Sequence, residues 1–289
     1  MNGILLVNKP QNITSRDVVN KVGALLGTKK IGHTGTLDPL ATGVLVLCIG
    51  EATKLNEILT AEYKEYEAEI TLGLLTDTLD ITGNVLQREN VTISKEQIIE
   101  ALNKIKGKYI QETPIYSAVK VNGKKLYEYA RNNESVILPK REVDIRKIEL
   151  ISDIKEEDNK TIFNIRCVVS KGTYIRALAY DIAQLLGTIG VMSRLNRTKQ
   201  GKFKIEDCYS LNDVEKCNYK IIPIREVLSD FEQVVTDDYL EEKIKNGSIL
   251  ENRYKSEVLF LNRENVPLAL YKPYEKDNTK IKPWKMFKF

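Results

Sequence analysis

Strand-like and helix-like patterns interleave irregularly along this chain, and that interleaving points to an α+β fold. The apolar run ILLV followed by KPQN reads as a strand and a turn. Ser15 then stands where a helix cap would, ahead of Val18, Val19, Val22, Leu25 and Leu26 on one helical face. Residues 32–39 have no period and contain Gly32, Gly35 and Pro39, so they predict a shaped loop before the apolar strand GVLVLCI. Over residues 66–72 apolar side chains alternate as in a strand with one buried face, and Ser94 with Gln97 forms a capping-box pattern for a helix closing near Gly107. Asn122-Gly123 predicts a two-residue hairpin turn. Strand patterns follow over residues 143–150 and 161–169. The second leads through Lys171-Gly172 into a helix with Ile175, Leu178, Ala179, Ile182, Leu185 and Leu186 on its apolar side, closed by Gly187.

A single core stops growing at roughly 250 to 300 residues, so a chain of 289 residues is expected to form two unequal domains. The pattern resets over residues 223–231, which places a boundary near Leu228. Beyond it, a short helix ending at Asn246-Gly247 and the strands VLFL and LALY suggest a small β-rich module, with residues 275–282 as an exposed loop. No run approaches the roughly 18 apolar residues of a membrane span. The first residues lack a basic leader and read as a buried strand rather than a signal peptide, so a soluble, cytoplasmic protein is expected.

Cys48, Cys167, Cys208 and Cys217 make no C-x-x-C pair and are expected to be reduced, structural thiols. His33 is the single histidine, which excludes a His-rich metal site and leaves chemistry mostly to carboxylates, hydroxyls and arginine. The net charge of +4 is uninformative, but its distribution is not. Residues 120–147 carry eight basic side chains (Lys120, Lys124, Lys125, Arg131, Lys140, Arg141, Arg146, Lys147) against four acids. Residues 193–204 carry Arg194, Arg197, Lys199, Lys202 and Lys204 with no acid. Both compositions suit contact with a phosphate backbone, and either stretch alone is equally compatible with a solvated face.

The segment GHTGTLDPLATGVL, residues 32–45, is organised around Asp38: Pro39 restrains the backbone after the carboxylate, and Gly32 and Gly35 let a ligand approach the main chain. This segment resembles the signature of the bacterial TruB-type tRNA pseudouridine-55 synthases. LLVNKPQNITS around Lys9, KEYEAEITLG around Tyr66 and SKGTYIRALA around Tyr174 and Arg176 resemble that family's other motifs in the same order, and SAVKVNGKKLYEYAR is similar to its RNA-gripping insertion. The resemblance implies a mixed-sheet pseudouridine synthase catalytic domain over residues 1–228, with the insertion at about 113–146. It implies a PUA-like RNA-binding module over residues 229–289.

By position, the resemblance implies that Asp38 is the nucleophile, Arg176 its ion-pair partner, and Tyr66 the ring that stacks on the target base and relays the proton from carbon 5. Tyr174 and Leu195 would line the same pocket, His33 would fill the space left by a flipped nucleotide, and Lys9 would assist binding. Lys120, Lys124, Lys125, Arg131, Arg197 and Lys199 are the candidates for RNA-backbone contact. The implied partner is the T-arm of tRNA, bound by a monomer without metal or cofactor. A guide-RNA-dependent synthase, an RNA-folding chaperone, and a hydrolase built on His33 and Asp38 are the competing readings.

Overall fold

The computed structural model describes residues 1–60 and 63–288. Its central element is a mixed sheet of ten strands. Seven form a continuous path in the order Gly3–Lys9, Thr42–Ile49, Gly190–Gln200, Lys64–Leu72, Lys160–Val169, Lys140–Leu150, Gly107–Glu112. Every neighbouring pair on this path is antiparallel except one: Thr42–Ile49 runs parallel to Gly190–Gln200, with Asn196 beside Thr42 and Arg197 beside Gly43. Gly43 is required at that junction. Its φ is +105°, and a Cβ there would lie 2.3 Å from the carbonyl oxygen of Arg197.

The sequence periods follow from which faces are covered. Thr42–Ile49 is buried on both sides, Val44, Val46 and Cys48 in one core and Leu45, Leu47 and Ile49 in another, so it reads as an unbroken apolar run. Lys64–Leu72 turns Tyr66, Ala68, Ile70 and Leu72 toward the helices Lys95–Ile105 and Ile175–Leu185, and therefore alternates. The expected capping box at Ser94 and Gln97 is present, and Asn122 and Gly123 both have positive φ in the turn between Lys120–Val121 and Lys124–Lys125.

Several expectations need correction. Thr14, not Ser15, caps the helix Ser15–Leu25, in a capping box with Asp17. Gly32 and His33 belong to the short strand Ile31–His33, paired with Thr42–Ile49, so the irregular loop is confined to residues 34–41. Leu185 is exposed, because it lies at the end of its helix beyond the covering sheet. Residues 275–282 are a hairpin turn and most of a strand, Asp277–Met286, whose polar composition reflects a half-exposed position. All four cysteines are free thiols, but only Cys48 and Cys167 are buried, and burial pushes both up to about 12; Cys217 is exposed.

The C-terminal part is a five-stranded sheet in the order Glu232–Val235, Val258–Leu261, Pro267–Tyr274, Asp277–Met286, Leu250–Glu251. Leu228, near the expected boundary, is fully buried. It packs in one core with Ile4 and Val46 from the large sheet and Leu259, Leu270 and Phe287 from the small one. Among the described residues no helix is long and apolar enough to cross a membrane.

Glu51 fastens the two sheets together. Its carboxylate accepts from Lys30, from Lys54 at 2.7 Å and from the backbone N–H of Lys288 at 2.9 Å, and Lys54 also donates to the Met286 carbonyl. Burial opposes ionisation, but these donors outweigh it and hold Glu51 at about 2, below its ordinary 4.5. A depressed carboxylate stabilises the fold above its unfolded pKa and loses that effect as pH falls toward its folded one. Glu51→Gln is therefore expected to cost roughly 2 kcal/mol near neutral pH, with a gap from the wild type that narrows below pH 4.5. Urea denaturation at pH 7 and pH 3 measures it; a gap independent of pH would contradict this account.

Candidate active site

Three buried groups shape the loop that presents Asp38. The Ser15 hydroxyl accepts from the Leu37 N–H at 2.8 Å and donates to the Leu37 carbonyl at 3.1 Å. The Lys9 ammonium, fully buried, donates to the carbonyls of Pro10, Ile13 and Pro39. Arg197, also fully buried, donates from Nε to Val44, from Nη1 to Thr36 and from Nη2 to Gly35, all at carbonyl oxygens. Leu37 and Ala41 are buried on either side of Asp38. The apolar flanks and the saturated carbonyls leave the carboxylate little freedom except to face outward, into a cleft of about 430 Å³.

Arg176, the second residue of helix Ile175–Leu185, meets Asp38 across the cleft. Its Nε donates to Asp38 Oδ2 at 2.9 Å, Nη1 to the Thr78 carbonyl at 2.8 Å, and Nη2 to the Tyr116 carbonyl at 3.0 Å. Asp80 Oδ2 lies 3.8 Å from the same Nε. Asp80 is itself buried, its Oδ1 accepting from Thr78 and Thr82. A cation at a helix N-terminus is unfavourable, and a buried one more so; two carboxylates and two carbonyls compensate.

Tyr66 sits opposite Arg197 across the Lys64–Leu72 and Gly190–Gln200 strands. Burial pushes its phenol up, opposed by the neighbouring Arg197 guanidinium, so the hydroxyl stays protonated at neutral pH. Tyr66, Tyr174, Leu195, Asp38 and Arg176 all line the one cleft, as the motif order implies; Tyr116 and Tyr127 from the insertion line it too. Two larger clefts elsewhere, of about 670 and 650 Å³, contain none of these residues.

Other expected site residues lie differently. Lys9 is a buried brace of the loop and has no surface to offer a ligand. Arg197 borders the cleft, but its guanidinium is fully buried and engaged by three carbonyls rather than displayed on the surface; an acid-free basic stretch in sequence does not reveal which side of a strand each residue takes. His33 is half-buried outside the cleft lining. Its Nδ1 has no partner among the described residues, and burial pushes its pKa down, so the ring is neutral. Lys124 pairs with Glu134 at 2.6 Å and lies over the Tyr129 ring; Lys125 donates to the Tyr127 hydroxyl, and Arg131 also covers Tyr127. Lys120 is exposed and Lys199 half-buried. Sequence reasoning missed Asp80, Ser15 and the carbonyls of Thr78 and Tyr116. An Asp in TDTLD reads as a turn former, and carbonyl acceptors leave no trace in side-chain identity.

Residues 24–175 match the model of the TruB family pseudouridylate synthase N-terminal domain, and residues 176–236 that of the tRNA pseudouridylate synthase B C-terminal domain. The chain is 42% identical to a tRNA pseudouridine synthase B of Bacillus cytotoxicus over 99% of this chain and 97% of that one. It is 42% identical to that of Staphylococcus saprophyticus over 99% of each, and 41% identical to that of Geobacillus thermodenitrificans over the whole of both. Among solved structures, an H/ACA RNP bound to a substrate RNA containing 2'-deoxyuridine includes a chain that superposes with a TM-score of 0.70 at 23% identity, over 99% of this chain and 85% of that one. An archaeal box H/ACA Nop10-Cbf5 complex does so with 0.67 at 21%, over 99% and 86%.

The buried cations make a testable statement about pH. Burial, with Arg197 adding to it and Asp38 opposing, lowers Lys9 from 10.5 to about 8. A lysine whose folded pKa is lowered keeps fewer protons folded than unfolded between those values, so folding stability rises with pH across that window. Wild-type protein is expected to gain on Lys9→Met between pH 8 and pH 10.5 in chemical denaturation. A flat difference would show that the ammonium is not desolvated.

Proposed function

The chain belongs to the TruB family of pseudouridylate synthases, and from that premise we propose that it acts on the T-loop uridine of tRNA, position 55, with Asp38 as nucleophile. It is an isomerase converting a uridine of tRNA to pseudouridine. In that reaction the bond from ribose carbon 1' to nitrogen 1 breaks and a bond from carbon 1' to carbon 5 forms. The carbon 5 proton leaves and nitrogen 1 gains one, so the product is an isomer of the substrate.

The observation that carries the assignment of residues is the Asp38–Arg176 pair on the wall of the cleft, at 2.9 Å. Arg176 pairs with the carboxylate and orients one oxygen, leaving the other for attack. The Tyr66 ring offers a face for the base, and its protonated hydroxyl relays the carbon 5 proton, with the Arg197 guanidinium steadying the oxygen. Tyr174 and Leu195 enclose the base once it leaves its stack, a step that costs a few kcal/mol. His33, though outside the cleft lining, would press into the vacated stack. Lys120, Lys124, Lys125, Arg131 and Lys199 are the basic side chains placed to meet the T-arm, whose folded shape provides much of the recognition. The enzyme acts as a cytoplasmic monomer in this reading, and residues 229–289 serve as an RNA-binding module, with Phe289 outside the described residues.

The guide-dependent and chaperone readings are less favoured. The relatives matched end to end at 41–42% identity carry the tRNA synthase name, whereas the H/ACA structures resemble this chain in fold alone. A binding-only protein would have no use for a carboxylate on the cleft wall paired with an arginine whose other two nitrogens are fixed on backbone carbonyls.

Incubation of purified protein with an unmodified tRNA transcript, without guide, is expected to convert the single T-loop uridine. Asp38→Asn is expected to bind the tRNA but react slower by roughly 10³-fold or more. Tight binding of tRNA by well-folded wild-type protein with no pseudouridine formed would overturn the assignment.

A further inference from the structure

The helix that carries Arg176 begins without a local device to hold it. Tyr174 is its N-cap residue and makes no side-chain capping bond, and no acid stands in the first turn. The missing anchor comes from a strand 63 residues earlier. Gln111, on Gly107–Glu112, is 1% exposed. Its Oε1 accepts from the Tyr174 N–H at 2.8 Å, and its Nε2 donates to the Tyr174 carbonyl at 3.2 Å. One side-chain amide thus grips both polar atoms of one backbone residue, as a neighbouring strand would.

The amide is held in turn. Its Nε2 also donates to the Tyr109 hydroxyl at 2.7 Å, and that hydroxyl donates to Asp181 Oδ2 at 3.0 Å. Asp181 lies on the same helix as Arg176 and is half-buried. The chain of bonds therefore leaves the helix at Asp181, crosses the strand through Tyr109 and Gln111, and returns to the helix start at Tyr174. Its donors run one way: Gln111 Nε2 donates to the Tyr109 oxygen, whose own O–H donates to Asp181. Burial, with Asp181 adding to it, pushes the Tyr109 phenol up, so it keeps the proton with which it donates to Asp181.

We propose that Gln111, locked by Tyr109 and Asp181, is a positioning residue for the isomerisation: it sets Tyr174, and through Tyr174 the guanidinium of Arg176 against Asp38. The inference rests on the reading of the site given above. Gln111 touches neither Asp38 nor Arg176, so its loss acts through geometry. A displacement on the order of 1 Å at a reacting pair is enough to cost about 100-fold in rate.

The test uses full-length protein and an unmodified tRNA transcript under single-turnover conditions, with tRNA affinity measured separately by filter binding. Gln111→Met keeps the side-chain volume and removes the amide. It is expected to slow conversion about 10- to 100-fold, with affinity changed less than about two-fold. Tyr109→Phe leaves the amide and removes its lock, and is expected to slow conversion by a smaller factor with affinity again unchanged. It decides the matter if Gln111→Met does not fold. Wild-type rates in either folded variant, or rate and affinity falling together, would overturn the positioning role while leaving the site assignment standing. An inactive wild type would remove both.

Discussion

Arg176 joins three segments that lie far apart in the chain. Its three nitrogens reach Asp38 in the loop of residues 34–41, Thr78 in the turn after Lys64–Leu72, and Tyr116 at the base of the basic insertion. Because the guanidinium is planar and its donors have fixed angles, satisfying all three determines where those segments stand relative to one another. A lysine could neutralise Asp38 but could not hold three acceptors in one plane. Asp80, 3.8 Å from Nε, supplies a second negative charge that makes a buried arginine tolerable at a helix N-terminus.

The loop is prepared for this contact by cations that never meet the solvent. Lys9 and Arg197 occupy six carbonyls in and around it, while Ser15 satisfies both polar atoms of Leu37. Irregular backbone normally lies at the surface because its polar groups need water. Here side chains replace the water, so an irregular loop can rest on the sheet and still present one carboxylate outward. The parallel junction between Thr42–Ile49 and Gly190–Gln200 makes this possible, since it sets Arg197 directly beside the loop exit, where Gly43 leaves room for its backbone.

The small C-terminal sheet is attached on the far side by a shared apolar core and by the ion cluster at Glu51. Stability at that seam and geometry at the cleft are carried by different residues, so each can be perturbed with little effect on the other. Sites separated in this way generally behave additively.

Much of this architecture is legible in the chain as written. Alternation over residues 66–72, the capping box at Ser94, the turn at Asn122-Gly123 and the double-sided burial of GVLVLCI depend on local periods, and local periods survive folding unchanged. The ordered motifs likewise bring Asp38, Tyr66, Tyr174, Arg176 and Leu195 to one cleft. Composition did not reveal which charges are buried. Lys9 and Arg197 have the same letters as surface residues, and residues 275–282 look like a loop and mostly pair as a strand. Burial is a property of what packs against a residue from elsewhere in the chain. The sequence alone pointed to most of the elements and to Asp38 as the expected reactive carboxylate; only the tertiary structure decided which cations hold that residue's loop, because their partners are backbone carbonyls that every residue possesses.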